Sequence, residues 1–522
     1  MGPASAPDLA VGDSRFADGA GPDVALDAAA QSDLSPRDGG AADVLQADVG
    51  RDESTALDIA PPRCPSLKHD GVLNLGHIKQ ALFAPDGRSL LVRIGAADSS
   101  DTDAMLIGLP DGEWRVLGER VLDVAWLGQS AALLTTADQL VAVALDGKVL
   151  GTISTPTCGH AATPDGSRIY YVQSPCDYVS GPLSVLDLAS GTSTQLASMV
   201  STRALPVSPD NRWAAYVAYP GGTPSSGGVV YVVDATGASY AVPGPPSAAE
   251  PVFTSGDLLL FQSPGPNTLE STFWSHDVGT RNSRSLAEGE LGISGYEIAA
   301  DGSAFLMAKY SGFGNAGELY QVPVAGGSPI RLATDLMDYR MYQMAIRAFA
   351  FASLSNRVVY IADTSAEADR SNVIALATLD GAEQVHYPPG AEAEISSYAD
   401  RVAIIAVDYT IDRGTITVVS GSGAKQFVVE VDGSVRFASF VPRDRGLLLV
   451  EAPTGADHKL RYVSFATGNV TTLARWTSST LPIYDYPLGI FSRDYPVDPN
   501  GCFSVVDSDY DQTASRLIAL PD

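Results

Sequence analysis

The hydrophobic residues of this chain follow a pattern that recurs along its length. Alternating apolar positions lead into a tight turn of Pro, Asp, Gly or Asn, and a denser apolar run follows the turn. Such residues turn the chain sharply because they accept left-handed or Pro-fixed dihedral angles, so each copy predicts a β-hairpin. The copies are FAPDGRSLLV (83–92), ATPDGSRIYYV (162–172), VSPDNRWAAYV (207–217), IAADGSAFLMA (298–308), FASLSNRVVYI (351–361), SYADRVAIIAV (397–407), FVPRDRGLLLV (440–450) and VDPNGCFSVV (497–506).

A second series of turns lies about midway between these hairpins. It includes LIGLPDGEWRVL (106–117) and LSVLDLASGTSTQL (183–196). Two hairpins in each period supply four antiparallel strands, which is the content of one propeller blade. The period of about 46 residues is close to the ~40–45 residues of WD-type blades. The pattern therefore predicts an all-β propeller of four-stranded antiparallel blades with about ten repeats, and two smaller rings remain an alternative.

The two ends of the repeat array predict how the propeller closes. The chain stops at SRLIALPD (515–522), where an earlier repeat continues into its outer strand, so the last blade has three strands. KHDGVLNLG (68–76) is the unassigned strand-like segment that precedes the first repeat. We expect this segment to supply the missing outer strand of the last blade and so to cover an open sheet edge.

The hairpins carry a family resemblance. Their F-x-P-D-G-x-x-L turns, together with the x-D-x-x-G second turns, resemble the TolB-like, WD-type propeller repeats of bacterial cell-envelope proteins. The resemblance covers about residues 65–522 and implies a propeller outside the cytoplasm, in the periplasm or at the cell surface. It implies no particular activity, because propellers carry many unrelated functions.

The first sixty residues have a different composition. Asp recurs about every five positions among Ala, Gly, Pro and Ser. Such a segment cannot bury enough apolar surface to offset its ordering entropy, so we predict a disordered acidic tether at 1–62 and a propeller at 63–522. The tether is similar to the linkers of bacterial surface lipoproteins, but the chain begins MGPASAPD, without a signal region or a lipobox cysteine. Either a signal was removed or this similarity misleads; membrane contact is expected only through a lipid anchor that this chain does not carry.

The charge narrows the range of partners. The 522 residues carry a net charge of −28. Nucleic acid is not expected as a partner, because its binding depends on Lys and Arg that neutralise phosphates. The simpler interpretation is that this negative charge keeps the protein soluble.

The four cysteines predict disulfide bonds and export. Cys158 and Cys176 flank one hairpin, and the sequence places them opposite each other, or nearly so, across its two strands. Cys64 and Cys502 both fall in the closing blade, where a bond would fasten the propeller. Disulfides persist in oxidising compartments, so we expect at least one bond and an extracytoplasmic location. Four buried thiols are the alternative.

One group of acidic residues suggests a cation site. The predicted loops between second and third strands bring six carboxylates close together in the first and last blades. Calcium is the one cofactor that this oxygen-rich spacing suggests, although the sequence lacks the Gly and the final Glu of an EF-hand. A solvated acidic rim is the alternative. The carboxylates are Asp98, Asp101, Asp103, Asp507, Asp509 and Asp511.

Aromatic residues predict a contact surface beside these loops. Trp476, Tyr484 and Tyr486 lie in one long connection between blades, and Tyr339 and Tyr342 lie in another that is rich in Met. Met and Tyr make adaptable contacts, although a plug over the channel would also use them.

Two functions are consistent with this sequence. The preferred one is a non-catalytic, exported recognition scaffold that binds a protein, peptide or glycan through loops on one propeller face. The alternative is an enzyme at the channel mouth, a lyase or hydrolase acting on polysaccharide or peptide. No catalytic residue is singled out, because the six histidines are scattered along the chain.

Overall fold

The computed structural model places the repeats in one of two units into which the chain divides, Met1–Ile59 and Ala60–Asp522. All described residues belong to the second unit, so the predicted tether and the domain boundary after residue 62 stay predictions. The described residues are 67, 72–76, 78–95, 102–174, 180–202, 205–219, 228–245, 251–254, 257–264, 270–290, 296–299, 301–310, 316–337, 349–352, 357–362, 373–382, 384–386, 391–395, 401–408, 413–420, 424–442, 445–452, 457–476, 502–507 and 515–520.

The described residues form β-strands and turns and no α-helix. The strands of the first half are β1 (Val72–Gly76), β2 (Ile78–Phe83), β3 (Ser89–Gly95), β4 (Thr102–Gly108), β5 (Trp114–Gly118), β6 (Asp123–Leu127), β7 (Ala131–Thr135), β8 (Leu140–Ala144), β9 (Val149–Ile153), β10 (Thr157–Ala162), β11 (Arg168–Gln173), β12 (Ser180–Asp187), β13 (Thr192–Ser201), β14 (Trp213–Ala218), β15 (Val229–Asp234), β16 (Ser239–Ala241), β17 (Val252–Phe253), β18 (Leu258–Pro264), β19 (Glu270–Asp277) and β20 (Asn282–Glu290). Those of the second half are β21 (Tyr296–Ile298), β22 (Ala304–Tyr310), β23 (Gly317–Pro323), β24 (Ile330–Leu336), β25 (Phe349–Ala352), β26 (Arg357–Ala362), β27 (Val373–Thr378), β28 (Gln384–His386), β29 (Ala391–Ile395), β30 (Arg401–Asp408), β31 (Arg413–Ser420), β32 (Lys425–Asp432), β33 (Ser434–Val441), β34 (Gly446–Ala452), β35 (His458–Ser464), β36 (Val470–Trp476), β37 (Phe503–Asp507) and β38 (Ser515–Ala519).

The predicted hairpin turns have the expected backbone. Gly87 and Gly166, in the PDG turns between first and second strands, have φ of 69° and 71°, and Asn211 takes the equivalent place in the PDN turn with φ of 64°. Only Gly, and less readily Asn or Asp, adopts this left-handed conformation at low cost. The turn residues that marked the repeat in the sequence are therefore the ones that reverse the chain.

Burial falls from the second strand of each repeat to the fourth. All five residues of β7, a second strand, are buried, whereas Trp114, Arg115 and Val116 of β5, a fourth strand, are exposed. A second strand is covered on both faces, so it reads as a continuous apolar run, while a fourth strand lies at the outer edge. This gradient is the reason that the apolar run after each hairpin turn was the strongest repeated signal.

Apolar clusters pack consecutive sheets together. Leu91 and Ala104 of the first repeat pack with Val124 and Leu134 of the second. Similar clusters join the later repeats in chain order. The sheets are therefore arranged as a β-propeller, in which packing between successive sheets supplies the hydrophobic core.

The predicted closing strand is confirmed. β1 pairs antiparallel with β38, with Val72 opposite Ile518 and Leu73 opposite Leu517. The sheet that they form with β37 packs on the first repeat through Leu90, Ile107, Phe503 and Leu517. Pairing of an N-terminal strand with the C-terminal one covers the β38 edge, as the sequence predicted.

The described residues do not form the roughly ten separate four-stranded blades that the sequence predicted. Five sheets are separate four-stranded blades; the other strands form one three-stranded, one seven-stranded and one eight-stranded sheet. The larger sheets arise because two neighbouring repeats are joined by a single backbone pair, Val200 with Ala218 in one and Leu336 with Ala362 in the other. Turn patterns cannot reveal such a link, since it depends on how closely two outer strands approach.

Candidate functional site

The connections divide into two sides with different lengths. We call the turn side the side that carries the connections between first and second strands and between third and fourth strands. The loop side carries the connections between second and third strands and those between repeats. Turn-side connections span three to six residues, whereas loop-side connections range from one residue between β32 and β33 to 12 between β24 and β25. The loop side is where the chain departs from its repeat.

Carboxylates on the turn side are bound within their own turns. Asp187 accepts a hydrogen bond from the Ser190 backbone N–H, and Asp234 accepts bonds from Thr236 and Ala238. The Ser190 backbone bond lowers the pKa of Asp187, and the Thr236 hydroxyl bond lowers the pKa of Asp234. These carboxylates are ionised at neutral pH and stabilise turns.

Neighbouring turns on this side also bind one another. The Asp165 backbone N–H donates to Asn211 Oδ1 at 3.0 Å. One oxygen of Asp257 accepts from Arg212 Nη2 at 2.8 Å and from Trp213 Nε1 at 3.0 Å. The turns of successive repeats are thus linked to each other by side chains.

The described histidines lie on strands, and His276 is held inside its sheet. His276 is fully buried; its Nε2 lies 3.0 Å from the Tyr240 hydroxyl and its Nδ1 lies 2.9 Å from Ser283 Oγ. Burial lowers the pKa of His276, which keeps the imidazole neutral at pH 7. His386 lies 3.2 Å from a carboxylate oxygen of Asp335.

These histidines do not converge on one site. The described histidines, His160, His276, His386 and His458, lie on strands of four different sheets. No group of three or more His, Cys, Asp or Glu that could hold a metal ion occurs within the described ranges. Convergent histidines, the feature that would favour the enzyme interpretation, are therefore not found in the part of the chain that the structure describes.

A cleft of about 130 Å³ lies on the turn side between the repeat of β10–β13 and the repeat of β14–β16. Arg168 and Asp187 form an ion pair in it at 3.7 Å. The buried Tyr170 forms part of its floor, and burial raises the pKa of this tyrosine. The remaining wall residues are Val185, Thr192, Thr194, Leu196, Val233, Asp234, Ala235, Thr236 and Gly237.

The sequence did not single out this cleft. Its charged residues, Arg168 and Asp187, belong to ordinary strand ends, and Thr194 lies in an outer strand without a motif. Its register position becomes informative only when fourth strands are compared, because Thr194 stands where two other repeats have Arg115 and Arg284.

Most predicted site residues lie outside the described residues. Among the proposed calcium ligands only the side chain of Asp103 is described; it is exposed on β4. The backbone of Asp507 pairs with Ser515, and Trp476 is the last residue of β36. The other predicted ligand and contact residues, which the structure does not describe, are Asp98, Asp101, Asp509, Asp511, Tyr339, Tyr342, Tyr484 and Tyr486.

The structure does bring together the strands that carry the predicted acidic loops. The connections from β3 to β4 and from β37 to β38 both lie on the loop side, and their sheets pack on each other through the cluster of Leu90 and Phe503. The neighbour relation on which the calcium prediction rests is therefore present, while the site itself stays a prediction.

The cysteines are described only in part. Neither Cys158 nor Cys502 is a free thiol. Cys64 and Cys176 lie outside the described residues, so both predicted pairs stay predictions. Thr157 lies opposite Gln173, the last residue of β11, and the facing of Cys158 and Cys176 stays a prediction because Cys176 is not described. A bond to Cys176 would have to come from the connection after β11.

No helix in the described ranges is long and apolar enough to span a membrane.

Comparisons with known proteins find only distant similarity. No family model and no curated protein matches this chain. Among solved structures, dipeptidyl peptidase 4 of Porphyromonas gingivalis is 11% identical to this chain and has a TM-score of 0.44. The match covers 76% of this chain and 68% of the peptidase chain. TolB of Acinetobacter baumannii is 16% identical over 61% of this chain and 81% of its own, with a TM-score of 0.27. Oligogalacturonate lyase of Vibrio parahaemolyticus is 14% identical over 59% and 91%, with a TM-score of 0.35.

TolB, whose repeats the sequence resembles, is thus among the structural neighbours. All these TM-scores are below 0.5, so the similarities carry no argument about function. The fold rests on the strand pairing and packing of this chain.

Proposed function

We propose that this protein is a non-catalytic, exported recognition scaffold that binds a protein, peptide or glycan through the loop side of its propeller. The observation that carries this proposal is the difference between the two sides. Turn-side connections are short and bind one another, whereas loop-side connections reach ten residues between β14 and β15 and 12 between β24 and β25. Binding residues in repeat scaffolds concentrate in the variable loops that a rigid core positions.

The proposal includes the size of the scaffold. We propose that the seven- and eight-stranded sheets are each two blades and that the array has ten, the last completed by β1. Two features support this count: each large sheet is continuous through one residue pair, and an apolar cluster lies between every two consecutive repeats. A single backbone pair is a weak link compared with the extensive ladders inside each repeat.

The aromatic residues of the loop side are proposed as the contact surface. Trp476 ends β36, and Tyr484 and Tyr486 follow it in the sequence before β37. The connection between β24 and β25 holds Tyr339 and Tyr342. Aromatic side chains supply large contact areas at low entropic cost and dominate the energetics of many interfaces.

The test compares aromatic residues on different parts of the propeller. Trp476, Tyr484 and Tyr486 are replaced together by Ala, and the matched control is Trp114→Ala, which removes a tryptophan 63% exposed on the outer strand β5. Binding is measured on glycan and peptide arrays and against cell-envelope extract. We expect the loop variant to lose binding at least ~10-fold and the control to keep it.

Two outcomes contradict the proposal. Equal loss in the Trp114 variant would show that the loop side is not the binding surface. Release of new reducing ends or cleaved peptide by the parent protein would instead support the channel-mouth enzyme.

Export is proposed from the cysteines together with the resemblance to envelope proteins. Neither described cysteine is a free thiol, which fits an oxidising compartment. We expect no thiol labelling of denatured, unreduced protein recovered from the envelope. Four labelled thiols in that sample would contradict both the bonds and the location.

We also propose a weak calcium site formed by Asp98, Asp101, Asp103, Asp507, Asp509 and Asp511. Support comes from the packing of the two sheets whose loop-side connections carry these residues. Like charges held close together repel each other unless a cation neutralises them.

A further inference from the structure

In three repeats, one residue of the fourth strand reaches across to the next repeat, and we call it the crossing residue. It pairs with the third-strand residue that precedes the last residue of that strand by two positions. Arg115 occupies it opposite Leu106, Tyr240 opposite Val232, and Arg284 opposite Ser275.

The three crossing residues reach the same place in the next repeat. Each donates to the carbonyl of the first residue after the third strand of that repeat. Arg115 Nη1 lies 3.1 Å from the Leu145 oxygen, the Tyr240 hydroxyl 3.3 Å from Val278, and Arg284 Nη2 3.4 Å from Val324. A long planar side chain with an N–H or O–H donor therefore closes these interfaces on the turn side.

The interface with the cleft has a different residue at this position. Thr194 lies opposite Val185, two before the end of β12, and the equivalent carbonyl of the next repeat belongs to Ala235. Thr194 and Ala235 form two walls of the 130 Å³ cleft. A threonine side chain is too short to cross that distance.

A second repeat also has a small residue at this register position, and a leucine of the next repeat fills the space beside it. Gly151 lies opposite Ala142, and a Cβ added at Gly151 would be 2.9 Å from Cδ2 of Leu188 in the next repeat. Leucine from the neighbouring turn thus fills that interface. The Thr194 interface differs from that one because a cleft lies at its register position.

The cleft has the charges and acceptors that suit a cationic planar group. Asp187 and Asp234 are ionised carboxylates in its wall, and Arg168 neutralises one of them, which leaves one net negative charge. The Ala235 carbonyl and the hydroxyls of Thr192, Thr194 and Thr236 add acceptors. The net charge of −28 on the chain also attracts cationic partners.

We propose that this cleft binds the guanidinium group of an arginine side chain in a partner polypeptide. Two of the three crossing residues, Arg115 and Arg284, are arginines that bind the equivalent carbonyl. A guanidinium combines five N–H donors in a plane with a permanent charge, whereas a lysine ammonium is a compact, strongly hydrated charge. The cleft lies on the turn side, so this proposal does not depend on the loop-side function.

The test uses acetyl-arginine amide as a mimic of an arginine within a chain. Titration calorimetry at low ionic strength should show saturable binding with a dissociation constant on the order of millimolar, as for a small ligand with few contacts. Acetyl-lysine amide and acetyl-citrulline amide should bind at least ~5-fold more weakly, since one lacks the plane and the other the charge. Tighter binding of free L-arginine than of the capped form would overturn the polypeptide partner.

Two variants locate the binding. Thr194→Arg supplies the crossing residue from the chain itself, so we expect loss of probe binding and a higher Tm. Thr471→Arg is the control: Thr471 is exposed at the same register position on β36, opposite Tyr462, and is not part of the cleft. Unchanged binding in Thr194→Arg, or equal loss in Thr471→Arg, would refute the proposal.

A milder variant keeps the proposal testable if Thr194→Arg does not fold. Asp187→Asn keeps the shape of the side chain and can still accept the Ser190 bond. It removes one negative charge from the cleft and should weaken acetyl-arginine amide binding at least ~5-fold. Wild-type affinity in this variant would count against the cleft as the site.

Discussion

The turn side and the loop side of this propeller are built from the same strands but follow different rules. On the turn side, Asp, Gly and Asn close connections of three to six residues, and the turns bind their neighbours through contacts such as Arg212 to Asp257. On the loop side, the connections share neither length nor composition. The comparison shows that the repeat preserves one side as scaffold and leaves the other free to vary, which is the division expected where function resides in loops.

The largest predicted effect concerns the strand that joins the two chain ends. Deletion of residues 1–76 removes β1 and exposes the β38 edge, to which Val72 and Leu73 are paired. An uncovered edge strand pairs with other chains, so we expect aggregation and loss of the cooperative thermal transition. Size-exclusion chromatography and thermal melting measure the outcome.

Deletion of residues 1–60 is the matched control, because it leaves β1 in place. Its melting curve should match that of the full chain. If the 1–76 deletion also melted as a monomer at the parental Tm, β1 would not be needed for closure.

The next effect tests whether turn-side contacts between repeats matter more than contacts within one turn. Asp257→Ala removes the acceptor of Arg212 and of Trp213 in the preceding repeat. We expect the free energy of unfolding to fall by about 1–2 kcal/mol. Asp146→Ala removes an acceptor of Lys148 in its own exposed turn and should cost about 0.5 kcal/mol. Chemical denaturation measures both, and equal losses would show that links between turns add nothing.

The sequence predicted the strands and turns of each repeat better than the links between repeats. Turn chemistry and the apolar second strands are local signals, so the hairpin at Gly87 and the pairing of β1 with β38 were both predicted correctly. The links at Val200–Ala218 and Leu336–Ala362 were missed because they depend on the distance between repeats.

The candidate sites were harder to predict for the same reason. The cleft at Thr194 is visible only when fourth strands are compared by register, since its walls come from two repeats. The facing of Cys158 and Cys176 stays a prediction, since Cys176 lies beyond the end of β11 and outside the described residues. Local patterns determine the elements of a repeat, while sites between repeats depend on the approach of one element to another.

A smaller loss of stability is expected when the pH is lowered. The buried His276 has a pKa below its ordinary value because of burial. As the pH falls through 6.5, the unfolded chain gains a proton at this residue while the folded protein does not, so stability decreases toward the lower folded pKa. His276→Gln should reduce the difference in Tm between pH 7.5 and pH 5.5. It should not abolish that difference, since burial also lowers the pKa of His160. An unchanged difference would mean that His276 titrates alike in both states.

The smallest effect is expected at the loop side, where a cation would act on the proposed acidic loops. Millimolar calcium should raise the Tm of the parent protein by a few degrees at most, because a weak ligand that binds only the folded state stabilises it by mass action. Asp507→Asn together with Asp509→Asn should abolish the shift, since each substitution removes a charge and keeps the side-chain size. Asp146→Asn, an exposed turn-side change, is the matched control and should leave the calcium shift intact. The absence of a shift in the parent protein, or a shift that survives the double substitution, would leave these carboxylates as a solvated rim. Loss of the shift in the double variant alone would give the loop side its first identified ligand and would sharpen the contrast with the turn side, whose described carboxylates Asp187 and Asp234 are already bound within their own turns.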